Sequence, residues 1–293
     1  MILYQQKHTN LKNVAASQLS TLDIPSRNNH HGLLLNFISV VPAALTQAQI
    51  ETDVSWVSIT LTMANGKQIK IMDRMTPAEI FDLLNDFPEA SKSTYTNAGS
   101  LYIPFTRPGQ LRVQNWSLSL GMLDVDVYEV QVQFTAGLTT ASVVEVIPVV
   151  DRLALRPLGE HIELRMDTRD WATISEEPNL DAPHKEPGTA LMRYHIGLGS
   201  APGVIENVDV QLDDTYPYTN LDAALNNFIL HQRGFTPNAD YFHVMCDKDF
   251  EPLDVGNAKT FINKWNWSTA PTDYRVVYEL ICGISPNPNV NTG

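Results

Sequence analysis

Residues 56–63 read Trp56-Val57-Ser58-Ile59-Thr60-Leu61-Thr62-Met63, an almost perfect alternation of apolar and polar side chains. Successive side chains of a β-strand point to opposite faces, so this pattern predicts a strand with one buried face. Asn65-Gly66 follows, and the alternation resumes in Gln68-Ile69-Lys70-Ile71. Because Asn-Gly readily adopts the positive φ values of a type I′ turn, the two stretches predict a β-hairpin.

The period changes directly after this hairpin. Thr76-Pro77-Ala78-Glu79 combines a capping residue, a proline at the first helical position and a glutamate three residues after the cap. These are signs of a helix start. Apolar residues then recur at helical spacing until Pro88: Ile80, Phe81, Leu83, Leu84 and Phe87. The region therefore predicts one short helix inserted into a β-rich stretch.

Short apolar or alternating runs predict strands on both sides of this helix, at 33–41, 101–105, 116–120 and 128–134. The second half repeats the order, with strands predicted at 190–198, 204–212, 241–246 and 274–281. Its helix is predicted to begin at a capping Asn220 and to end at Gly234. The apolar face of that helix is predicted to contain Leu221, Leu225, Phe228 and Ile229.

Five landmarks recur in the same order in both halves, which indicates two copies of one unit. The matched pairs are Leu33 with Leu191, Thr76 with Asn220, Tyr102 with Phe242, Asn115-Trp116-Ser117 with Asn266-Trp267-Ser268, and Tyr128 with Tyr274.

The predicted fold class is all-β: two tandem jelly rolls, which are β-sandwiches of the eight-stranded type, each with one short inserted helix. The long gaps between strands favour jelly rolls over simple meanders. Residues 1–150 are predicted to form the first jelly roll, and residues 151–293 a connector and the second. The connector, 151–187, contains four prolines and an acidic stretch, although 143–150 and 161–166 beside or within it also have strand character.

The charge balance excludes a nucleic-acid-binding surface as the main function. The chain carries 20 Lys and Arg against 33 Asp and Glu, a net charge of −13, whereas phosphate recognition needs clustered basic residues. Residues 1–150 hold 9 basic and 12 acidic residues, and residues 151–293 hold 11 and 21. The acidity therefore belongs to the second half.

Searches for catalytic and cofactor motifs give no site. None of the eight histidines forms a His-x-His pair, and adjacent His30 and His31 would point to opposite faces of a strand. Nucleophile-elbow and phosphate-loop motifs are absent. Cys246 and Cys282 lie in apolar runs and are predicted to be buried free thiols. The sequence predicts neither an enzyme nor a bound cofactor.

One acidic loop is a candidate cation site, because closely spaced oxygen ligands suit Ca²⁺. It contains Asp247, Asp249, Glu251 and Asp254, without the glycine or terminal glutamate of an EF-hand. A solvated acidic loop is the alternative interpretation. The same carboxylates carry a second hypothesis for function, a carbohydrate-binding or glycan-cleaving protein. That hypothesis requires Asp247 or Glu251 beside Trp265 or Trp267 in a cleft.

The layout of residues 13–284 resembles the double jelly-roll major capsid proteins of tailless, internal-membrane icosahedral bacteriophages, the corticovirus and tectivirus lineage. The stretches that carry the resemblance are Asn13-Val14-Ala15-Ala16, Ile24-Pro25, the alternating strand before Asn65-Gly66-Lys67-Gln68-Ile69, and Tyr274-Arg275-Val276-Val277-Tyr278-Glu279.

The resemblance implies a structural virion protein rather than an enzyme. Homotrimers of nearly hexagonal outline would tile an icosahedral shell after assembly in the host cytoplasm. The partners would be other copies of the chain, minor capsid or vertex proteins and the underlying viral membrane, without direct contact to nucleic acid. The tails before Asn13 and after Gly283 would be flexible arms.

Overall fold

The computed structural model describes residues 4–5, 9–39, 45–86, 99–106, 119–138, 141–151, 153–169, 186–246 and 252–283. The chain divides into two compact units, 1–162 and 163–293. The predicted division after residue 150 coincides with the end of a long strand, Ala141–Val150.

The first unit is built from antiparallel strands that pair into two sheets. One sheet has the order β1-β9-β4-β7, with β2 also on β9, and the other has the order β6-β5-β8-β3. The strands are β1 Tyr4–Gln5, β2 Thr9–Asn10, β3 Leu19–Ile24, β4 His30–Ser39, β5 Val54–Met63, β6 Gln68–Met75, β7 Ser100–Pro104, β8 Val125–Phe134 and β9 Ala141–Val150.

The second unit also has two sheets. Their orders are β10-β17-β11-β14, with β15 on β11, and β13-β12-β16. The strands are β10 His161–Arg169, which begins two residues before the unit boundary, β11 Ala190–Gly197, β12 Val204–Leu212, β13 Thr215–Leu221, β14 Tyr241–Met245, β15 Leu253–Asp254, β16 Phe261–Thr269 and β17 Tyr274–Cys282.

Strand alternation places the core of each unit. In the first unit, Leu33 and Leu35 of β4 and Ile59 and Leu61 of β5 are completely buried. In the second unit, one core cluster joins alternate residues of both sheets, because successive side chains of a strand point to opposite faces. Its members include Tyr194 and Ile196 on β11, Val208 and Val210 on β12, and Trp265 and Trp267 on β16.

The strand order confirms the predicted duplication. β4 lies between β7 and β9, as β11 lies between β14 and β17. β5 lies between β6 and β8, as β12 lies between β13 and β16. In each unit a helix also lies at the same place in the chain order. One lies between β6 and β7, and the other lies between β13 and β14. The two units are therefore copies of one jelly-roll topology.

Three of the five matched landmarks are nevertheless wrong. Thr76 caps a helix, whereas Asn220 lies in β13. Tyr128 lies on β8, the counterpart of β16, whereas Tyr274 lies on β17. Asn266-Trp267-Ser268 lies within β16, whereas Asn115-Trp116-Ser117 precedes β8 and lies outside the described residues, as does most of the strand predicted at 116–120. The shared tripeptide is therefore not at equivalent positions, and the duplication rests on strand order instead.

The hairpin between β5 and β6 is confirmed, but its turn differs from the predicted type I′. Gly66 has φ +82°, whereas Asn65 does not have a positive φ. The Gly66 N–H donates to the Met63 carbonyl at 2.8 Å, and the Met63 N–H donates to the Lys67 carbonyl at 2.8 Å. This is a longer loop closed by a single left-handed glycine, a common alternative to the two-residue turn.

The predicted helix start at Thr76 is confirmed by a complete capping box with Glu79. The α-helix α2, Pro77–Glu79, continues directly as a π-helix, Ile80–Asp86. Another helix, α1 at Gln47–Asp53, was not predicted and has its own capping box between Thr46 and Gln49. The first unit therefore contains more helix than the single insertion predicted. No helix among the described residues is long and apolar enough to cross a membrane.

The helix of the second unit, α3 at Ala223–Gln232, differs from its prediction in two ways. Asp222 is its N-cap, whereas Asn220 belongs to β13 and has φ 54°. Leu225 and Phe228 of the predicted apolar face are exposed. Gly234 has φ +81° and confirms the predicted C-terminal stop.

The described residues of the N-terminal arm include two short strands, whereas the resemblance implies a flexible arm. β1 and β2 pair with the edge of β9, and the Leu11 N–H donates to the Val144 carbonyl at 2.8 Å. The C-terminal arm, 284–293, lies outside the described residues.

Candidate functional site

A cluster of charged and polar side chains is buried on one sheet of the second unit. The Arg193 cluster consists of Arg193 and His195 on β11, His243 on β14 and Glu279 on β17. Arg193 is the register partner of Glu279, and His195 is the register partner of His243. Since side chains alternate along β11, these residues lie on the face opposite Tyr194, away from the apolar core.

The Arg193 guanidinium binds the Glu279 carboxylate through two hydrogen bonds. Nε donates to Oε1 at 2.8 Å, and Nη2 donates to Oε2 at 3.0 Å. The side chains are 2% and 0% exposed, and the Phe235 ring centre lies 5.6 Å from the guanidinium carbon. Because water is excluded, each charge is stabilised chiefly by its partner, and loss of either leaves the other uncompensated.

The two histidines extend this ion pair into an ordered chain of hydrogen bonds. The Asn238 N–H donates to Nε2 of His243 at 3.2 Å, so the proton of a neutral His243 is on Nδ1. That proton is donated to Nδ1 of His195 at 2.7 Å. Nε2 of His195 then carries a proton and faces Oε1 of Glu279 at 3.4 Å. A second proton on either ring would place two N–H donors opposite each other, with no acceptor between them.

The environment keeps His243 neutral. Burial, followed by the charges of His195 and Arg193, holds the pKa of His243 well below its usual value. All four members of the Arg193 cluster are buried. A catalytic group must come within hydrogen-bond distance of its substrate, and these buried groups are not accessible to one. The cluster instead joins the strands β14, β11 and β17 to one another. The sequence pattern did not predict this cluster, although Arg193 and His195 alternate with apolar residues in an otherwise apolar strand.

A second buried cluster fastens the start of the predicted connector in the first unit. The Asp151 carboxylate accepts hydrogen bonds from Nε2 of His31 at 2.7 Å, Nδ2 of Asn29 at 3.1 Å and the Leu153 N–H at 2.9 Å. Burial alone would raise the pKa of Asp151, but these hydrogen bonds lower it overall. The cluster therefore joins Asp151 and Leu153 to β4 and to Asn29 before it.

The candidate cation loop is described only at its end. Asp247, Asp249 and Glu251 lie outside the described residues. Asp254 is exposed, and its carboxylate accepts hydrogen bonds from the Asn257 N–H at 3.2 Å and Nδ2 at 2.8 Å, which closes a turn. Within the described ranges, no group of three or more His, Cys, Asp or Glu side chains could hold a metal ion. The Ca²⁺ site stays a prediction.

The tryptophans required by the carbohydrate hypothesis are not available to a ligand. Trp265 is 0% exposed and Trp267 is 2% exposed, and both pack edge-on against Tyr274 in the core. They cannot form the walls of a glycan cleft.

The cysteines behave as predicted. Cys246 and Cys282 are free and buried, and burial raises the pKa of the Cys282 thiol to about 12. A thiolate nucleophile is therefore disfavoured at this position.

Buried neutral histidines predict that the protein loses stability in mild acid. Burial is the main cause that lowers the pKa of His30 to about 4, and it also lowers the pKa values of His31 and His243. An unfolded histidine has a pKa of about 6.5. Below that pH the unfolded chain binds protons that the folded chain does not, so the free energy of unfolding falls as pH falls.

Each of these histidines contributes at most about 1.4 kcal/mol per pH unit, so the three together give a slope of up to about 4 kcal/mol per pH unit between about pH 6.5 and 5. Urea unfolding at several pH values, at one protein concentration, measures this slope. His243→Gln should reduce the slope by about one histidine's share. A free energy of unfolding that is constant over this range would contradict the assignment of neutral buried rings.

Comparisons with protein-family models and with curated proteins give no match. Solved structures match over nearly the whole chain. The major capsid protein P2 of bacteriophage PM2 is 16% identical with a TM-score of 0.79, over 98% of this chain and 99% of that chain. The major capsid protein of Sulfolobus turreted icosahedral virus is 9% identical with a TM-score of 0.61, over 97% of both chains. The PBCV-1 virus capsid chain is 10% identical with a TM-score of 0.61, over 99% and 97%.

Similarity at these identities establishes the fold. Together with the strand order of the two units, it confirms the predicted tandem jelly rolls.

Proposed function

We propose that this chain is a major capsid protein whose homotrimers, nearly hexagonal in outline, tile an icosahedral viral shell. The observation that carries the proposal is the duplicated jelly-roll topology, because three capsid proteins share the fold over almost their full lengths. A ring of three chains with two similar units each presents six similar units, which suits a hexagonal arrangement.

The buried polar clusters support a structural function. Among the described residues, Arg193 and Glu279 form an ion pair where solvent is almost excluded, and His31 is hydrogen-bonded to Asp151 in a similarly buried place. They join strands to each other or to the connector rather than line an accessible cleft. Such clusters stiffen a scaffold but do not bring reactive groups to a substrate.

An exposed apolar surface on α3 supports contact with another protein. Leu225 and Phe228 are 47% and 59% exposed, and residues three apart lie on the same side of a helix. Adjacent apolar residues on a surface are typical of protein interfaces. We propose that this surface, the α3 face, contacts a neighbouring copy of the chain in the trimer.

A charge on the α3 face should weaken the trimer. Phe228→Asp places a carboxylate in the proposed interface, and burying an unpaired charge is strongly unfavourable, so the trimer dissociation constant should rise by about tenfold or more. Sedimentation velocity over a range of protein concentrations measures the change.

Asn227→Asp is the matched control, because it adds the same charge at an exposed position one residue away on the same helix. It should leave the trimer nearly intact. Equal trimer fractions for both variants and the unchanged protein would show that the α3 face is not a trimer contact.

The proposal extends to location and partners. The trimers would assemble in the host cytoplasm and lie in the virion shell, against neighbouring trimers, minor capsid or vertex proteins and the internal membrane. Electron microscopy of purified protein tests the first level of assembly: particles of nearly hexagonal outline support it, and elongated two-lobed monomers would contradict it.

A further inference from the structure

A pocket of about 330 Å³ lies at one end of the first unit, beside the end of β3 and the neighbouring strands β4 and β9. Its apolar lining comes from Ile24, Pro148 and Val150, and its charged or polar lining includes Arg27 and His30. This volume is at the lower end of the range for small-molecule sites, which is about 300 to 1,000 Å³.

One buried polar side chain of the lining, His30, lacks the hydrogen-bond partners that burial normally requires. His30 is 2% exposed, and neither ring nitrogen forms a hydrogen bond of regular geometry, although the Pro25 carbonyl is near enough to raise its pKa slightly. Its ring packs edge-on against Tyr128 with centres 5.1 Å apart, and the buried Tyr128 hydroxyl is also without a partner. Buried polar groups are paired in the great majority of cases, so unpaired ones beside a pocket indicate a place where a ligand can supply hydrogen bonds.

The charges at the pocket favour an anion. Burial, followed by the charge of His31, lowers the pKa of His30 to about 4, against smaller opposing effects of the Pro25 carbonyl and Asp151. His30 is therefore neutral at pH 7 and offers one N–H donor and one acceptor. Arg27 is exposed and forms no ion pair with any described residue, so its guanidinium is the positive charge at the pocket.

We infer that this pocket binds a small oxyanion, a carboxylate or a phosphate ester, carried on a short apolar stem. Arg27 supplies charge-assisted hydrogen bonds to the oxyanion, and the N–H of His30 supplies a further donor. Ile24, Pro148 and Val150 contact the stem. The inference does not depend on the capsid proposal, because it rests only on the groups at this pocket.

Four probes with the same stem test the inference by isothermal titration calorimetry at pH 7: hexanoate, hexyl phosphate, hexanol and hexylammonium. One or both oxyanions should bind, and hexanol and hexylammonium should bind at least about tenfold more weakly, since a hydrogen bond to a charged group contributes about 1.5 to 3 kcal/mol. The tighter oxyanion identifies the preferred head group.

Substitutions place the binding at this pocket. Arg27→Gln removes an exposed charge and should keep the fold while it weakens oxyanion binding by about tenfold or more. Lys12→Gln, which removes an exposed cation outside the pocket lining, should not change binding. The imidazole NMR signals of His30 should shift on titration with the bound oxyanion.

Three results would overturn the inference. They are no binding of either oxyanion at millimolar concentration, equal binding by the Arg27→Gln and Lys12→Gln variants, and a saturable titration in which the signals of His30 do not move.

Discussion

Glu279→Gln should lower the free energy of unfolding by about 3 to 5 kcal/mol, because it leaves the buried Arg193 guanidinium without a counter-charge. The substitution preserves the shape of the side chain, so lost packing cannot explain a decrease of this size. The glutamine carbonyl can still accept the hydrogen bond from His195. Urea unfolding followed by tryptophan fluorescence, at one protein concentration, measures the change.

Two further variants separate charge burial from other effects. Arg193→Met combined with Glu279→Gln removes both charges and should recover most of the lost stability. Asp167→Asn breaks the more exposed Arg169–Asp167 pair on β10, whose side chains are 29% and 35% exposed, and should cost at most about 1 kcal/mol. A double variant no more stable than Glu279→Gln would contradict the assigned role of the pair.

Trp265→Ala should lower the free energy of unfolding by about 3 to 5 kcal/mol, the usual cost of removing a large buried aromatic side chain. Trp265 is 0% exposed and packs against Tyr274 with ring centres 6.1 Å apart. Its indole nitrogen has no hydrogen-bond partner, so Trp265→Phe should lose only packing and cost clearly less. The same urea unfolding experiment measures both.

Trp56→Ala is the control, because Trp56 on β5 is only half-buried and should lose less stability. If Trp265→Ala costs less than Trp56→Ala, Trp265 is not a core residue as described. That result would reopen the carbohydrate hypothesis, which needs Trp265 to be accessible to a ligand.

Regular alternation made most strands predictable. β5, β6, β8 and β12 alternate in sequence, and the structure places them within a few residues of the predictions. β13 was missed because Tyr216, Pro217 and Tyr218 do not alternate with polar residues and because the strand is almost entirely exposed. An edge strand of this kind is determined by its pairing with β12, which sequence periodicity does not contain.

The helix α3 shows a second limit of periodicity. Leu225, Phe228 and Ile229 have helical spacing, but only Ile229 of the three packs against the core, and the buried positions are Asn226 and Leu230. The spacing of apolar residues along a helix does not show whether the apolar face packs against its own chain or against a partner. The exposure of Leu225 and Phe228 could therefore not be predicted from their spacing.

The candidate sites depend on register between strands that are distant in sequence. Arg193 and Glu279 are 86 residues apart, and His195 and His243 are 48 apart. Each could be seen as a polar residue within a predicted strand. Their meeting follows only from the order β14-β11-β17, so the sequence alone did not predict the Arg193 cluster.

The mass of the purified protein in solution tests the capsid proposal most directly. Sedimentation equilibrium at micromolar concentration should give three chains of 32.7 kDa each, about 98 kDa. A stable monomer at that concentration would contradict the proposal.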